Sequence, residues 1–184
     1  CMRHSEEDRV RDFIEEHELT PVMLLCTHQH FDHVWGAAFV LRQWPHIKAY
    51  GNRIDFEKLP LPSEQLKGYG IPLPLEDVPM ERYTLVQQDD LIRLGGEELR
   101  VLFVPGHAPG HIAFYAGESD ILLSGDTLLQ GTIGRTDFWY GDYDQLVEAI
   151  KSQYMTLPDE TIVFSGHGPE TTIGFERRKN PFLQ

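Results

Sequence analysis

The sequence predicts a layered α/β domain, and three observations carry that expectation. Helical patterns alternate with short apolar runs through the first fifty residues, two strand-turn-strand patterns come next, and a helix with one more apolar run lies near the end. Taken in order, Ser5 and Asp8 are spaced like a capping box. Val10, Phe13, Ile14 and His17 then fall on one face of a charged stretch, as in an amphipathic helix lying on a sheet. Val22-Met23-Leu24-Leu25-Cys26 is a continuous apolar run of the length of a strand covered on both faces. A second helix fits residues 35–44, stopped by Pro45, and 47–50 reads as another strand. From 51 to 82 the periodicity fails: Pro60, Pro62, Pro72, Pro74 and Pro79 interrupt any regular element, and the stretch reads as an insertion or lid. Residues 91–94 and 99–104 flank Gly95-Gly96 as a hairpin, and 112–115 with 121–123 repeat the arrangement. Leu146, Val147, Ile150 and Tyr154 space a helix over 143–154; residues 161–164 are the last clear strand, and 174–179 close as a short helix.

The 184 residues, 41% hydrophobic and 11% aromatic, suffice for one compact domain. Lys and Arg number 16 against 29 Asp and Glu, a formal charge of −13, which argues against a nucleic-acid or anionic-membrane surface. No apolar run approaches the roughly 20 residues of a membrane span. The expectation is therefore a soluble cytoplasmic protein, monomer or weak homodimer, whose partner is a small molecule. Two cysteines, Cys1 and Cys26, are too few for a disulfide scaffold and fit a reducing compartment. The chain opens on Cys1 and runs straight into a helical pattern, so it reads as a fragment whose upstream segment is missing.

Chemistry concentrates after the first strand, where His28, His30, Asp32 and His33 crowd together. In an extended loop the i and i+2 side chains share a direction, and imidazole with carboxylate suits zinc, iron or manganese. A single histidine would be an ordinary polar loop residue; four such groups after a buried strand point to a metal. His107, Asp126 and His167 occupy the same kind of place, each following an apolar strand and a small-residue turn, Pro105-Gly106, Ser124-Gly125 and Ser165-Gly166. Glycine lets the backbone bend sharply there, and ligands on strand-end loops of one sheet can meet in one cleft.

His28-Gln29-His30-Phe31-Asp32-His33, Pro105-Gly106-His107-Ala108-Pro109-Gly110-His111, Ser124-Gly125-Asp126, Gly134-Arg135-Thr136-Asp137-Phe138 and Ser165-Gly166-His167-Gly168-Pro169 together resemble the metallo-β-lactamase superfamily. Within it the chain is similar to glyoxalase II-like (hydroxyacylglutathione hydrolase-like) single-domain hydrolases that end near Asn180-Pro181-Phe182-Leu183. The resemblance implies a metallo-β-lactamase αβ/βα four-layer sandwich over residues 1–184, lacking its N-terminal strand pair here. It implies His28, His30 and His107 at one metal, Asp32, His33 and His167 at a second, and Asp126 bridging. The ions would be two divalent metals, zinc first, with iron and manganese as alternatives. The implied activity is hydrolysis of a hydroxyacylglutathione thioester by a metal-bound hydroxide, with Asp32 doubling as proton acceptor. Arg135 stands where such proteins place a basic side chain on the glutathione part of the substrate; its bland alternative is an ion pair with Asp137. His111 is expected to pack or hydrogen-bond behind the ligands, and His4, His17 and His46 to lie on the surface. Two rivals stay open: a mononuclear iron persulfide dioxygenase and a non-catalytic metal-binding domain. A β-lactamase is disfavoured, because Asp126 stands where those zinc sites commonly carry cysteine.

Overall fold

Strand direction decides where the candidate ligands emerge. The computed structural model describes residues 4–184; Cys1 lies outside them, as do the side chains of His4 and Ser5. The described residues up to 85 form one compact unit and residues 86–184 a second. The first holds helix α1 (His4–Glu16) and a parallel sheet in the order β1 (Met23–Leu25), β2 (Lys48–Gly51), β3 (Tyr83–Leu85). Parallel strands need crossover connections. Helices α2 (Phe31–Val34) and α3 (Ala37–Gln43) join β1 to β2, and α4 (Arg53–Lys58) and α5 (Pro62–Gly68) lie between β2 and β3. The helix expected over 35–44 is α3, and a further short helix, α2, precedes it within the histidine motif. Strand β1 pairs on one side and its residues are only partly buried, which corrects the expectation of a strand covered on both faces.

The 51–82 stretch also departs from expectation. Asn52 caps α4 by accepting the Ile54 N–H at 2.9 Å, and Pro62 opens α5, where proline's missing N–H is not needed. Pro62 thus opens a helix and Pro79 stands just before the single turn 80–82 that leads into β3, and the longest irregular run of the stretch is 71–79. Cys26, Val34, Ala37, Leu41, Ile47, Ala49 and Tyr83 form this unit's core. Burial pushes the Cys26 thiol up to about 12. An alkylating reagent at about pH 8 is therefore expected to spare Cys26 in the native protein and label it fully in denaturant. Peptide mass spectrometry reads this; equal labelling in both states would contradict the burial.

The second unit is built on a six-stranded sheet of β4 (Leu91–Leu94), β5 (Glu97–Phe103), β6 (Ile112–Ala116), β7 (Ile121–Gly125), β10 (Ile162–Ser165) and β11 (Thr171–Thr172), in the order β11-β10-β7-β6-β5-β4. A two-stranded ribbon, β8 (Leu128–Leu129) with β9 (Thr132–Ile133), comes after β7. Both expected hairpins are present, β4 with β5 in the register Ile92↔Leu99 and β6 with β7 in the register Phe114↔Leu123. Helix α6 (Tyr143–Gln153), capped by Asp142, sets Leu146 and Ile150 into a core with Leu102, Val104, Leu122 and Val163; helix α7 (Ile173–Lys179) closes the unit. Because β5, β6 and β7 are successive antiparallel neighbours and β7 pairs parallel with β10, strands β5, β7 and β10 point the same way. Their C-terminal ends lead into His107, Asp126 and His167. Among the described residues no helix is long and apolar enough to cross a membrane.

Candidate metal centre

In the first unit β1 ends at Leu25, and an irregular stretch, extended at His30 (φ −73°, ψ 143°), leads to Phe31. His28 and His30 stand on that stretch, whereas Asp32 and His33 stand on the first turn of α2. The alternation expected of an extended chain therefore applies only to the first pair. The ring centroids of His28 and His30 are 4.5 Å apart, and those of His28 and His33 are 4.1 Å apart. His33 Nε2 lies 3.6 Å from Asp32 Oδ2. Thr27 Oγ1 is 3.1 Å from His28 Nδ1. His28 and His30 are buried. Imidazoles packed this closely bring several nitrogen donors to one place, the donor type that a divalent metal takes.

In the second unit the Asp126 carboxylate stands between two imidazoles, its Oδ2 3.8 Å from His107 Nε2 and 3.3 Å from His167 Nε2. His107 is fixed from its far side, where Nδ1 lies 2.8 Å from the Arg135 carbonyl. A carbonyl only accepts, so Nδ1 carries the proton and Nε2 offers its lone pair toward Asp126. His111 is fully buried, and its Nε2 accepts the Asp126 backbone N–H at 3.1 Å. That hydrogen bond behind the ligand loop is the role expected of it. His17 and His46 are exposed, as expected.

Local backbone chemistry explains the placement. Gly106 has φ +126°, and a Cβ there would lie 2.5 Å from the Leu146 backbone nitrogen, so only glycine lets the chain turn into His107 against α6. The β7–β10 register skips one residue, pairing Phe164 with Leu123 but Ser165 with Gly125. Such a bulge re-aims the chain beyond it, here at Asp126. Ser124 Oγ secures the turn by donating to the Leu128 carbonyl at 2.9 Å. His167 is the most exposed of the three, its side chain 55% accessible.

Arg135 is held by Asp137 in a bidentate pair of 2.7 and 2.8 Å and lies 4.5 Å over the Phe138 ring. These hydrogen bonds keep the Asp137 carboxyl below its ordinary range. The ion pair anticipated as the alternative role of Arg135 is present, and the guanidinium remains largely exposed. Two further residues, which sequence reasoning missed, reach the histidine loop: Asp55 of α4 accepts the Gln29 N–H, and Gln65 of α5 bonds the backbone of Gln29 and Phe31. Asp55 reads as one more acid in an acidic chain, and Gln65 falls where periodicity is silent.

The chain is 41% identical over 182 residues to the hydroxyacylglutathione hydrolase GloC of Haemophilus influenzae, spanning 97% of this chain and 83% of that protein. Its fold matches that of the BLEG-1 B3 metallo-β-lactamase with a TM-score of 0.87 at 33% identity, over 97% of this chain and 84% of the other. It also matches TTHA1623 in a di-iron-bound form, with a TM-score of 0.83 at 34% identity over 96% and 84% of the two chains. The metallo-β-lactamase superfamily profile covers residues 5–167. Strand-end histidines and aspartates, the mixed α/β architecture and these likenesses agree: the chain belongs to the metallo-β-lactamase superfamily.

Proposed function

We propose that the chain is a divalent-metal-dependent hydrolase of a glutathione thioester, with a hydroxyacylglutathione as substrate. The observation that carries this reading is the Asp126 carboxylate set between the Nε2 atoms of His107 and His167, with His107 held in the tautomer that offers a lone pair. Superfamily membership and the likeness to GloC support the substrate class. In this reading His28, His30 and His107 would hold one ion, Asp32, His33 and His167 would hold the second, and Asp126 would serve both. The donors fit such ions, being imidazole nitrogens and carboxylate oxygens without a thiolate. Zinc is the first choice, with iron next in view of the di-iron TTHA1623. When bound, such ions act as Lewis acids that acidify water and polarise a carbonyl.

The chain's own residues supply the rest. Arg135 fixes the His107 ring through its main-chain carbonyl, so the ligand is oriented before any ion arrives. Its guanidinium, exposed beside Asp137, exchanges that partner for a substrate carboxylate. Asp32, at the start of α2, accepts the proton released during turnover.

Elemental analysis of the purified chain, combined with turnover of lactoylglutathione, glutathione persulfide and a cephalosporin, tests the reading. Two ions per chain and thioester turnover alone are expected. In Asp126→Ala, metal content and turnover should fall together, by about 100-fold or more in turnover. One iron with oxygen uptake on the persulfide would establish the dioxygenase instead. Cephalosporin hydrolysis would favour the activity named for BLEG-1. An Asp126→Ala chain with both ions and full turnover would remove the bridging assignment.

A further inference from the structure

We infer that α4 and α5 act as a fixed clamp on the histidine loop, with Asp55 and Gln65 as positioning residues for His28 and His30. The inference rests on the metal reading above and concerns how the first unit holds its ligands. Gln29 lies between the two histidines. Its N–H donates to Asp55 Oδ2 at 2.9 Å, and its carbonyl accepts from Gln65 Nε2 at 2.9 Å. Two residues on, the Phe31 N–H donates to Gln65 Oε1 at 3.3 Å. Three consecutive peptide planes, 28–29, 29–30 and 30–31, are each held by a side chain from outside the loop. His30 sits at the joint between two held planes and His28 borders the first of them, so the backbone that carries both side chains is fixed before a metal binds.

Beyond Cys26, whose N–H still donates to the Tyr50 carbonyl of β2 at 3.0 Å, the chain leaves the sheet, and the polar backbone groups of Gln29 and the Phe31 N–H take side-chain partners instead. Asp55 is 1% exposed, and a carboxylate accepting a backbone N–H there makes a charge-assisted bond. The Gln65 amide is oriented by its neighbours: Nε2 donates both to Gln29 and, at 2.8 Å, to the Pro60 carbonyl, while Oε1 accepts from Phe31. Glutamate at 65 would set a carboxylate against two carbonyl oxygens. The helices are themselves anchored, α4 by its Asn52 cap and α5 by Leu66, which is 1% exposed.

A loop held this way binds metal without first being ordered, and groups supporting metal ligands typically contribute about 10–100-fold in affinity. The test is cobalt(II) binding by the whole chain, measured by chelator competition and by visible absorption, with thermal melting of the metal-free protein alongside. Gln65→Met, of similar volume, and Gln65→Glu are expected to weaken cobalt binding by about 10–100-fold and to alter the visible spectrum, with the metal-free protein melting at a lower temperature but still in one cooperative transition. Asp55→Asn, which keeps an oxygen for the Gln29 N–H, should retain more affinity than Asp55→Leu. Glu57→Gln on exposed α4 surface should match the parent. Parental affinity and spectrum in both Gln65 variants would overturn the clamp alone. A parent chain that takes up no cobalt would overturn the metal reading and the clamp with it.

Discussion

Gly134→Ala is expected to destabilise the second unit by about 1–3 kcal/mol and to cost it metal retention, although glycine and alanine differ by one methyl group. A Cβ at 134 would stand 1.8 Å from the Asp126 carbonyl oxygen, 2.9 Å from its carbon and 3.1 Å from His107 Nδ1. Gly134 cannot simply retreat, because its N–H donates to the Thr127 carbonyl at 3.0 Å and it directly succeeds β9. Relief requires a shift on the order of 1 Å, by one of two routes, and a displacement of that size can cost about 100-fold in function. If Asp126 moves, its carboxylate leaves its place between His107 and His167. If the 134–135 segment moves, the Arg135 carbonyl leaves His107 Nδ1 and the ring loses its fixed tautomer. Denaturant unfolding and metal analysis should therefore change together. Gly96→Ala is the control, since a Cβ there meets nothing within 4 Å. A Gly134→Ala chain with parental stability and metal content would show that Asp126 and β9 are not packed as described.

Legibility in the sequence tracks the length of each signal. Strands β5, β6 and β7 and helix α6 carry enough apolar residues in register to be read directly, and the turn before each ligand announces itself through Gly106, Gly125 and Gly166. Strands β8, β9 and β11 span two residues each, less than one full alternation, so only the neighbouring chain defines them. Helices α4 and α5 were hidden for another reason. Pro60 and Pro62 are breakers inside a helix but tolerated at its start, and hydropathy alone does not distinguish the two contexts. The candidate ligands stand out in the sequence because histidine and aspartate crowd after strand ends. Their supports do not, because Asp55 and Gln65 act through backbone hydrogen bonds that leave no spacing rule. Phe31 opening α2 was missed likewise, the expected helix starting at Trp35.

The second large effect is expected far from any ligand, at Glu176, which is fully buried on α7. Its carboxylate accepts the Gly131 N–H at 3.1 Å on both oxygens, the Thr171 hydroxyl at 2.6 Å and the Asn180 amide at 2.7 Å. Glu176→Ala leaves three donors without that acceptor where water is excluded, and about 3–4 kcal/mol of stability should be lost. Glu176→Gln separates charge from shape. Its oxygen can still take Gly131 and Thr171, but its NH2 would face the Asn180 NH2. Asn180 cannot flip without cost, because its amide nitrogen also donates to the Thr132 carbonyl at 3.0 Å and its oxygen accepts the Phe182 N–H at 3.0 Å. An intermediate loss, about 1–2 kcal/mol, is therefore expected for the glutamine. Gly131 is the turn between β8 and β9, and β9 leads through Gly134 to the carbonyl that orients His107. Loosening at Glu176 should thus reach the ligand side as faster exchange of the Gly134 amide and faster metal loss. Urea unfolding with amide exchange measures both. Equal stability of the alanine and glutamine variants would mean that the carboxylate contributes volume alone, and unchanged exchange at Gly134 in a destabilised alanine variant would cut the link from α7 to His107.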